Sequence, residues 1–187
     1  MNIKKLNFKS DLSLYRQLSS EIIDKVGWGI TNQIGLRSLS NSSDPWFDSV
    51  GSLFDRTTNT FKNTESNFNV WNLDPTNYIR QQIEKLQDIE NINVGRIRIM
   101  KLLPKHGLSV HRDNEFRYHF VLKTNNKAYF SFNNNNNIST SDVTEVGTFY
   151  HIPADSHWYF VDTTKVHWVY NGGDDERIHI VVCGIPK

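Results

Sequence analysis

Two segments of the chain place apolar residues at the spacing of an amphipathic helix. Residues 11–26 repeat leucine, isoleucine and valine close to a 3.6-residue period, and residues 75–89 do the same. The second segment follows Asp74 and Pro75, a pair that is typical of a helix N-cap and a first helical position. The pattern therefore predicts helices over 11–26 and 75–89.

Beyond residue 93 the chain changes to short segments in which apolar and polar residues alternate. Residues 94–102 alternate most regularly, as a strand with one buried face does. Further strand candidates are bounded by residues that favour turns: 107–111, 117–123, 127–132, 146–152, 157–162, 166–170 and 177–184. The asparagine run at 133–137 is most simply a solvated hairpin loop. Two helices followed by these strands predict a mainly β sandwich or barrel with N-terminal helices packed on it.

Residues 27–73 are rich in small and polar residues but carry scattered tryptophan and phenylalanine. Such aromatic content indicates turns and short strands rather than a disordered linker. The chain of 187 residues has no internal repeat, and its length suits one core. We therefore expect a single domain over 1–187, with a helical and loop part over 1–93 and a β core over 94–187.

Charge and cysteine content narrow the classes of partner. Lysine and arginine total 21 against 20 acidic residues, without a basic block, so no nucleic-acid partner is indicated. No apolar run approaches the ~18 residues of a membrane span, and no signal peptide is visible. The single cysteine, Cys183, lies in an apolar run, which predicts a buried thiol and fits a reducing compartment such as the cytoplasm.

The first chemical signal is the pair His111 and Asp113. Residues two apart on a strand face the same side, so this imidazole and carboxylate could bind one metal ion. His167 could add a second imidazole from a distant strand. Two histidines and one carboxylate form the facial triad of non-haem iron(II) oxygenases. Such a pair also arises by chance, so a solvated loop or a hydrogen-bonded core histidine remains the alternative.

The second signal is Arg177, which a predicted turn separates from His167, so that the two lie on neighbouring strands. A buried arginine there would need an anion, and its planar fork suits a carboxylate. A dicarboxylate that chelates the metal at one end and meets Arg177 at the other explains this arrangement. The alternative is an exposed arginine that pairs with Asp174, Asp175 or Glu176.

Several spaced elements together resemble the aspartyl/asparaginyl β-hydroxylase family, which includes bacterial free-proline hydroxylases. The elements are 102–113, 117–122, 162–167, Asn171 and 177–182. The resemblance covers roughly residues 95–185. It implies a double-stranded β-helix, the jelly roll of the cupins, with an Fe(II) centre, 2-oxoglutarate as cosubstrate and O₂.

The resemblance also implies residue roles. By this resemblance, the metal ligands are His111, Asp113 and His167. Arg177 would bind the distal carboxylate of 2-oxoglutarate. Vertebrate-type aspartyl β-hydroxylases lack the carboxylate ligand, so Asp113 matches the proline hydroxylases instead.

Arg117 and His119 match a family element near the cosubstrate and substrate carboxylates. Their distance along the chain from His111 is shorter than in the vertebrate-type enzymes. From the residues alone, the two share one face of a strand, and a buried hydrogen-bonded pair is the alternative.

Together these features predict an oxidoreductase, an Fe(II)- and 2-oxoglutarate-dependent dioxygenase that hydroxylates a free or peptidyl amino acid. Its partner would be a small-molecule or peptide substrate. Two alternatives stay open: a non-catalytic cupin-like module that binds a metal or ligand, and a cupin-like enzyme that needs no 2-oxoglutarate. The sequence does not indicate an oligomeric state.

Overall fold

The structure is a computed structural model that describes residues 1–55, 57–133 and 147–187. The predicted loop at 133–137, apart from Asn133, therefore lies outside the described residues. The chain divides into two compact units. The first unit comprises Met1–Leu12 with Lys101–His179, and the second comprises Ser13–Met100 with Ile180–Lys187. The expectation of a single domain stays a prediction.

The described residues are mainly β. The helices are α1 (Leu12–Val26) and α2 (Tyr78–Ile89), with a 3₁₀ turn at Glu65–Asn67. The strands are β1 (Ile3–Lys9), β2 (Gln33–Gly35), β3 (Arg37–Ser38), β4 (Phe54–Asp55), β5 (Thr60–Phe61), β6 (Val70–Trp71), β7 (Ile92–Leu102), β8 (His106–His111), β9 (Phe116–Lys123), β10 (Ala128–Phe132), β11 (Thr148–Tyr150), β12 (His157–Val161), β13 (His167–Asn171) and β14 (Arg177–Pro186). Neither helix is long and apolar enough to cross a bilayer, within the ranges described.

Both predicted helices are confirmed, but the second begins later than expected. Asp74 does not cap α2, because its carboxylate instead accepts hydrogen bonds from the backbone N–H and hydroxyl of Thr76, at 2.8 and 2.7 Å. The N-cap is Asn77, whose side-chain oxygen accepts a bond of 2.9 Å from the N–H of Ile79. Pro75 therefore lies in a turn that precedes the helix.

The predicted strands beyond residue 93 are confirmed as β7 to β14, within a few residues at each end. Strand β1 was not predicted. It pairs antiparallel with β12, and its register shifts between Lys5 and Lys9. In the sequence, Ile3 and Leu6 are separated by two lysines, so the alternation by which a half-buried strand is recognised is interrupted.

In the first unit, two antiparallel sheets share one hydrophobic core. One sheet has the order β11-β10-β13-β8, and the other runs β1-β12-β9 to the start of β14. Both sheets contribute to the core, whose buried members are Val121, Phe130, Phe132, Ile152, Tyr159, Val161 and Val169. This sandwich is the frame on which the candidate site is built.

In the second unit, β2 pairs with β7, and a buried ion pair joins β7 to the 3₁₀ turn. Arg96 donates two hydrogen bonds to the Glu65 carboxylate, from Nε to Oε2 at 3.0 Å and from Nη2 to Oε1 at 2.9 Å. The same guanidinium also donates to the carbonyl oxygens of Ser49 and Gly51. Cys183 is buried in this unit, as predicted.

Replacing Glu65 by alanine is expected to lower the free energy of unfolding by about 3–5 kcal/mol, because it leaves the buried charge of Arg96 without its partner. Glu84→Ala is the matched control. Its carboxylate pairs with Arg80 on the exposed side of α2, and its loss should lower the free energy by about 1 kcal/mol or less. Urea unfolding measures both. Equal effects of the two substitutions would contradict this account.

Candidate metal centre

Two histidines from distant parts of the sequence face each other across neighbouring strands. Strands β8 and β13 pair antiparallel, and their register sets His167 directly opposite His111. Side chains opposite each other in such a pair lie on the same face, and the two imidazole ring centres are 4.3 Å apart. The register then shifts between His167 and Val169, as in a β-bulge.

Asp113 lies beside the two histidines, as predicted, but a different interaction from the predicted one positions it. Strand β8 ends at His111, so the carboxylate is not placed by strand alternation. Instead the backbone N–H of Asp113 donates to the carbonyl oxygen of Thr163 at 2.8 Å. The Thr163 hydroxyl donates to the carbonyl oxygen of Glu115 at 2.6 Å. One potential ligand atom from each of His111, Asp113 and His167 lies within 4.8 Å of the others.

Backbone carbonyls fix the tautomer of both imidazoles. The Nδ1 of His111 contacts the carbonyl oxygen of Ser109 at 2.6 Å, and the Nδ1 of His167 contacts that of Lys165 at 2.9 Å. A carbonyl only accepts, so each Nδ1 carries the hydrogen and each neutral ring keeps a lone pair on Nε2. Each imidazole is thus held as a metal ligand usually is, with its second nitrogen bonded to a backbone oxygen.

Burial keeps His167 in the neutral form that binds metals. Loss of hydration, and then the charge of His111, lower the pKa of His167 to about 4. The donor set is two imidazole nitrogens and one carboxylate, without a thiolate. It fits a divalent transition metal such as Fe(II) and leaves coordination positions for other ligands.

Arg177 is buried, with 6% of its surface exposed, at the start of β14. Its guanidinium lies 5.1 Å from the ring centre of Phe130, and its Nη2 donates to the Nδ1 of His179 at 3.1 Å. Burial lowers its pKa to about 9, so it is still protonated at neutral pH. Among the residues that the structure describes, no carboxylate lies within ion-pair distance of it.

The alternative of an exposed arginine that pairs with the preceding acidic turn is therefore wrong. The three acidic residues of that turn each pair with a lysine instead: Asp174 with Lys105 at 2.8 Å, Asp175 with Lys123 at 3.5 Å and Glu176 with Lys101 at 3.4 Å. Among the described residues, no carboxylate balances the buried charge of Arg177, so this guanidinium can bind the anion of a ligand.

Arg117 and His119 are both buried on β9, but they contact different parts of the site. The Nε of Arg117 lies 3.3 Å from the Asp113 carboxylate, and its Nη1 donates to two backbone carbonyls. The Nδ1 of His119 lies 3.3 Å from the Nδ1 of His179. Arg117 thus belongs to the metal cluster and His119 to the surroundings of Arg177. Their predicted contact with the cosubstrate stays a prediction.

The sequence did not single out Thr163 or His179 as site residues. Thr163 positions Asp113 through its backbone carbonyl oxygen. Every residue type has such an oxygen, so the sequence does not indicate this contact. His179 was visible as the second residue after Arg177 on a strand, a spacing that does not distinguish a site residue from packing.

Solved structures that cover the whole chain are of the same fold. Viral collagen prolyl hydroxylase from Paramecium Bursaria Chlorella virus-1 matches 100% of this chain and 91% of its own, with a TM-score of 0.53 and 9% identity. IDO from Bacillus thuringiensis matches the same shares, with a TM-score of 0.51 and 10% identity. At such identities the likeness shows the fold alone, and the predicted jelly-roll architecture is confirmed.

An oxidoreductase of the 2OG-Fe(II) oxygenase family from Burkholderia pseudomallei matches 60% of this chain at 14% identity and a TM-score of 0.45. The chain spans 60% of the length of that structure. Cupins from other bacteria match about half of the chain.

No curated protein sequence matches the chain. The family model described as Aspartyl/Asparaginyl beta-hydroxylase does match it, over residues 69–185. That range is more than half of the chain, and it contains the metal cluster, Arg117, His119 and Arg177. The chain therefore belongs to the aspartyl/asparaginyl β-hydroxylase family.

Proposed function

We propose that this chain is an Fe(II)- and 2-oxoglutarate-dependent dioxygenase that hydroxylates a C–H bond of a free or peptidyl amino acid. The observation that carries the proposal is the pairing of two features in one compact unit. One is a cluster of two imidazoles and a carboxylate, and the other is a buried guanidinium that no carboxylate of the described residues neutralises. A dicarboxylate cosubstrate could bind a metal at the cluster with one end and the guanidinium with the other.

In this proposal the metal is held by Asp113 and by the Nε2 atoms of His111 and His167. Three protein ligands leave positions for a chelating cosubstrate and for oxygen. Bound Fe(II), with O₂ and 2-oxoglutarate, supplies the oxidising power that hydroxylates the substrate, while 2-oxoglutarate leaves as succinate and CO₂. The protein binds and orients the reactants.

Arg177 binds the distal carboxylate of 2-oxoglutarate. Its burial strengthens the attraction, because little water competes for either charge. The guanidinium lies over the ring of Phe130, and this cation–π contact helps to hold it. Phe130 and Phe132 also lie beside His167, with ring centres 6.5 and 5.8 Å from its imidazole, and they give that side of the cluster an apolar wall.

Arg117 acts first on Asp113. A charged Nε–H at 3.3 Å attracts the carboxylate and orients it. The alternative that Arg117 holds a substrate carboxylate is less well supported, since its Nε and Nη1 already face Asp113 and backbone carbonyls. The amino-acid substrate class rests on the family.

His167→Ala is expected to weaken Fe(II) binding by on the order of a hundredfold or more, because it removes one of three protein ligands. Anaerobic isothermal titration calorimetry measures the affinity. His106→Ala is the matched control, since His106 is an exposed imidazole whose Nδ1 bonds to the carbonyl oxygen of Pro104 and which is not one of the residues of the cluster. Equal affinities of the His167 variant and the wild-type protein would exclude this cluster as the iron site.

Arg177→Met keeps much of the side-chain volume but removes the charge. Formation of succinate from 2-oxoglutarate should fall by about two orders of magnitude, with a raised KM for 2-oxoglutarate, because a buried charged bond is lost. Lys123→Met removes an exposed cation from the same unit and should leave the rate unchanged. An unchanged rate in Arg177→Met, or turnover without 2-oxoglutarate, would favour a binding module or a cupin-like enzyme instead.

The neutral state of His167 has a consequence for the stability of the metal-free protein. Its folded pKa of about 4 lies below the ordinary value of about 6.5, so the unfolded chain binds the proton more readily between those values. Stability should therefore fall as the pH drops from about 6.5 to about 4, by on the order of 3 kcal/mol at most. His167→Asn should lose this part of the pH dependence in urea unfolding. Identical pH dependence in both proteins would show that His167 is not buried in its neutral form.

A further inference from the structure

His179 is a buried imidazole beside Arg177. It is not one of the three residues of the metal cluster. Only 1% of its surface is exposed. It follows Arg177 by two residues on β14, so both side chains lie on the same face of the strand. Whatever ligand Arg177 binds on this face therefore lies near His179 as well.

The contact with Arg177 determines which nitrogen of His179 carries the hydrogen. An arginine has no acceptor, so its Nη2 donates and the Nδ1 of His179 accepts, at 3.1 Å. Burial, and then the positive charge of Arg177 with the imidazoles of His119 and His151, hold the pKa of His179 well below its usual value. The ring is therefore neutral, and its hydrogen is on Nε2.

That Nε2–H is a buried donor with no hydrogen-bond partner among the described residues. Leaving such a donor unpaired costs about 1–3 kcal/mol, and native structures rarely contain one. Arg177, on the same face, is a buried cation without a carboxylate partner among those residues. An Nε2–H without an acceptor, beside a cation without a carboxylate, indicates a ligand with several carboxylate oxygens.

We propose that His179 is a binding residue of the cosubstrate site, whose Nε2–H donates a hydrogen bond to an oxygen of the dicarboxylate that Arg177 binds. Its Nδ1 meanwhile holds the guanidinium in place. This inference rests on the proposed function, because it takes 2-oxoglutarate as that dicarboxylate. A neutral donor beside a cation favours an anionic ligand with several oxygens over an apolar or cationic one.

Nuclear magnetic resonance of the full chain tests the bond directly. The protein carries ¹⁵N-labelled histidine and Zn(II), a diamagnetic substitute for iron, and 2-oxoglutarate is added without substrate. The His179 signal is assigned by its loss in His179→Asn. We expect a neutral ring with hydrogen on Nε2, whose N–H signal moves downfield and exchanges more slowly when 2-oxoglutarate binds. Hydrogen on Nδ1 would overturn the inference.

Calorimetry on the same samples separates this inference from the proposed function. If 2-oxoglutarate binds but the Nε2–H signal does not move, the role of His179 is wrong and the proposed function stands. If 2-oxoglutarate does not bind to the metal-loaded protein at all, both are wrong. The carboxylate of a substrate is excluded as the acceptor, because no substrate is present.

Affinity provides a second readout. His179→Asn keeps an oxygen near the position of Nδ1, which can still accept from Arg177, but it lacks the Nε2–H. Its Kd for 2-oxoglutarate should rise about tenfold or more, while its affinity for Zn(II) stays unchanged. His106→Asn, at an exposed imidazole, is the control and should alter neither value. A Kd for 2-oxoglutarate in His179→Asn equal to that of the wild-type protein would overturn the inference.

Discussion

The antiparallel register between β8 and β13 is the constraint on which the candidate site depends. It sets His111 and His167 directly opposite each other although 55 residues lie between them in the sequence. A slip of one residue would turn one imidazole to the other face of the sheet and separate the pair. Val169, on β13, is buried in the hydrophobic core, and a slip of that strand by one residue would turn it out of the core.

Charge is distributed unevenly around this frame. At the metal cluster, Arg117 balances the Asp113 carboxylate, and backbone oxygens orient the two imidazoles. At the start of β14 a guanidinium is buried beside Phe130 and His179, and no carboxylate of the described residues lies within ion-pair distance of it. A buried charge without a partner is energetically costly, so binding of an anion beside Arg177 is favourable. The acidic turn that precedes Arg177 does not supply the anion, because lysines pair with it.

The sequence predicted the strands of the β core well, because each has a buried face and a turn at its end. It missed β1, where two adjacent lysines interrupt the alternation. It began α2 too early, since Asp74 bonds to Thr76 rather than to a helix terminus. The cluster of His111, Asp113 and His167 was predicted, but for Asp113 the reason was wrong. The carboxylate lies beyond the strand and is placed by Thr163, a long-range bond that no local pattern shows.

The roles of the charged residues were harder to predict than their presence. Spacing suggested that Arg117 and His119 act together, whereas the structure places one beside Asp113 and the other beside His179. Which partner a buried arginine meets depends on side-chain packing between strands, and a single sequence carries no direct record of it.

The most direct test is absorption spectroscopy of the protein without oxygen, with Fe(II) and 2-oxoglutarate added separately and together. If the cluster holds iron and the cosubstrate chelates it, a visible charge-transfer band appears only when both are present. If no band appears with both present, iron and 2-oxoglutarate do not meet in this site, and the dioxygenase account is wrong.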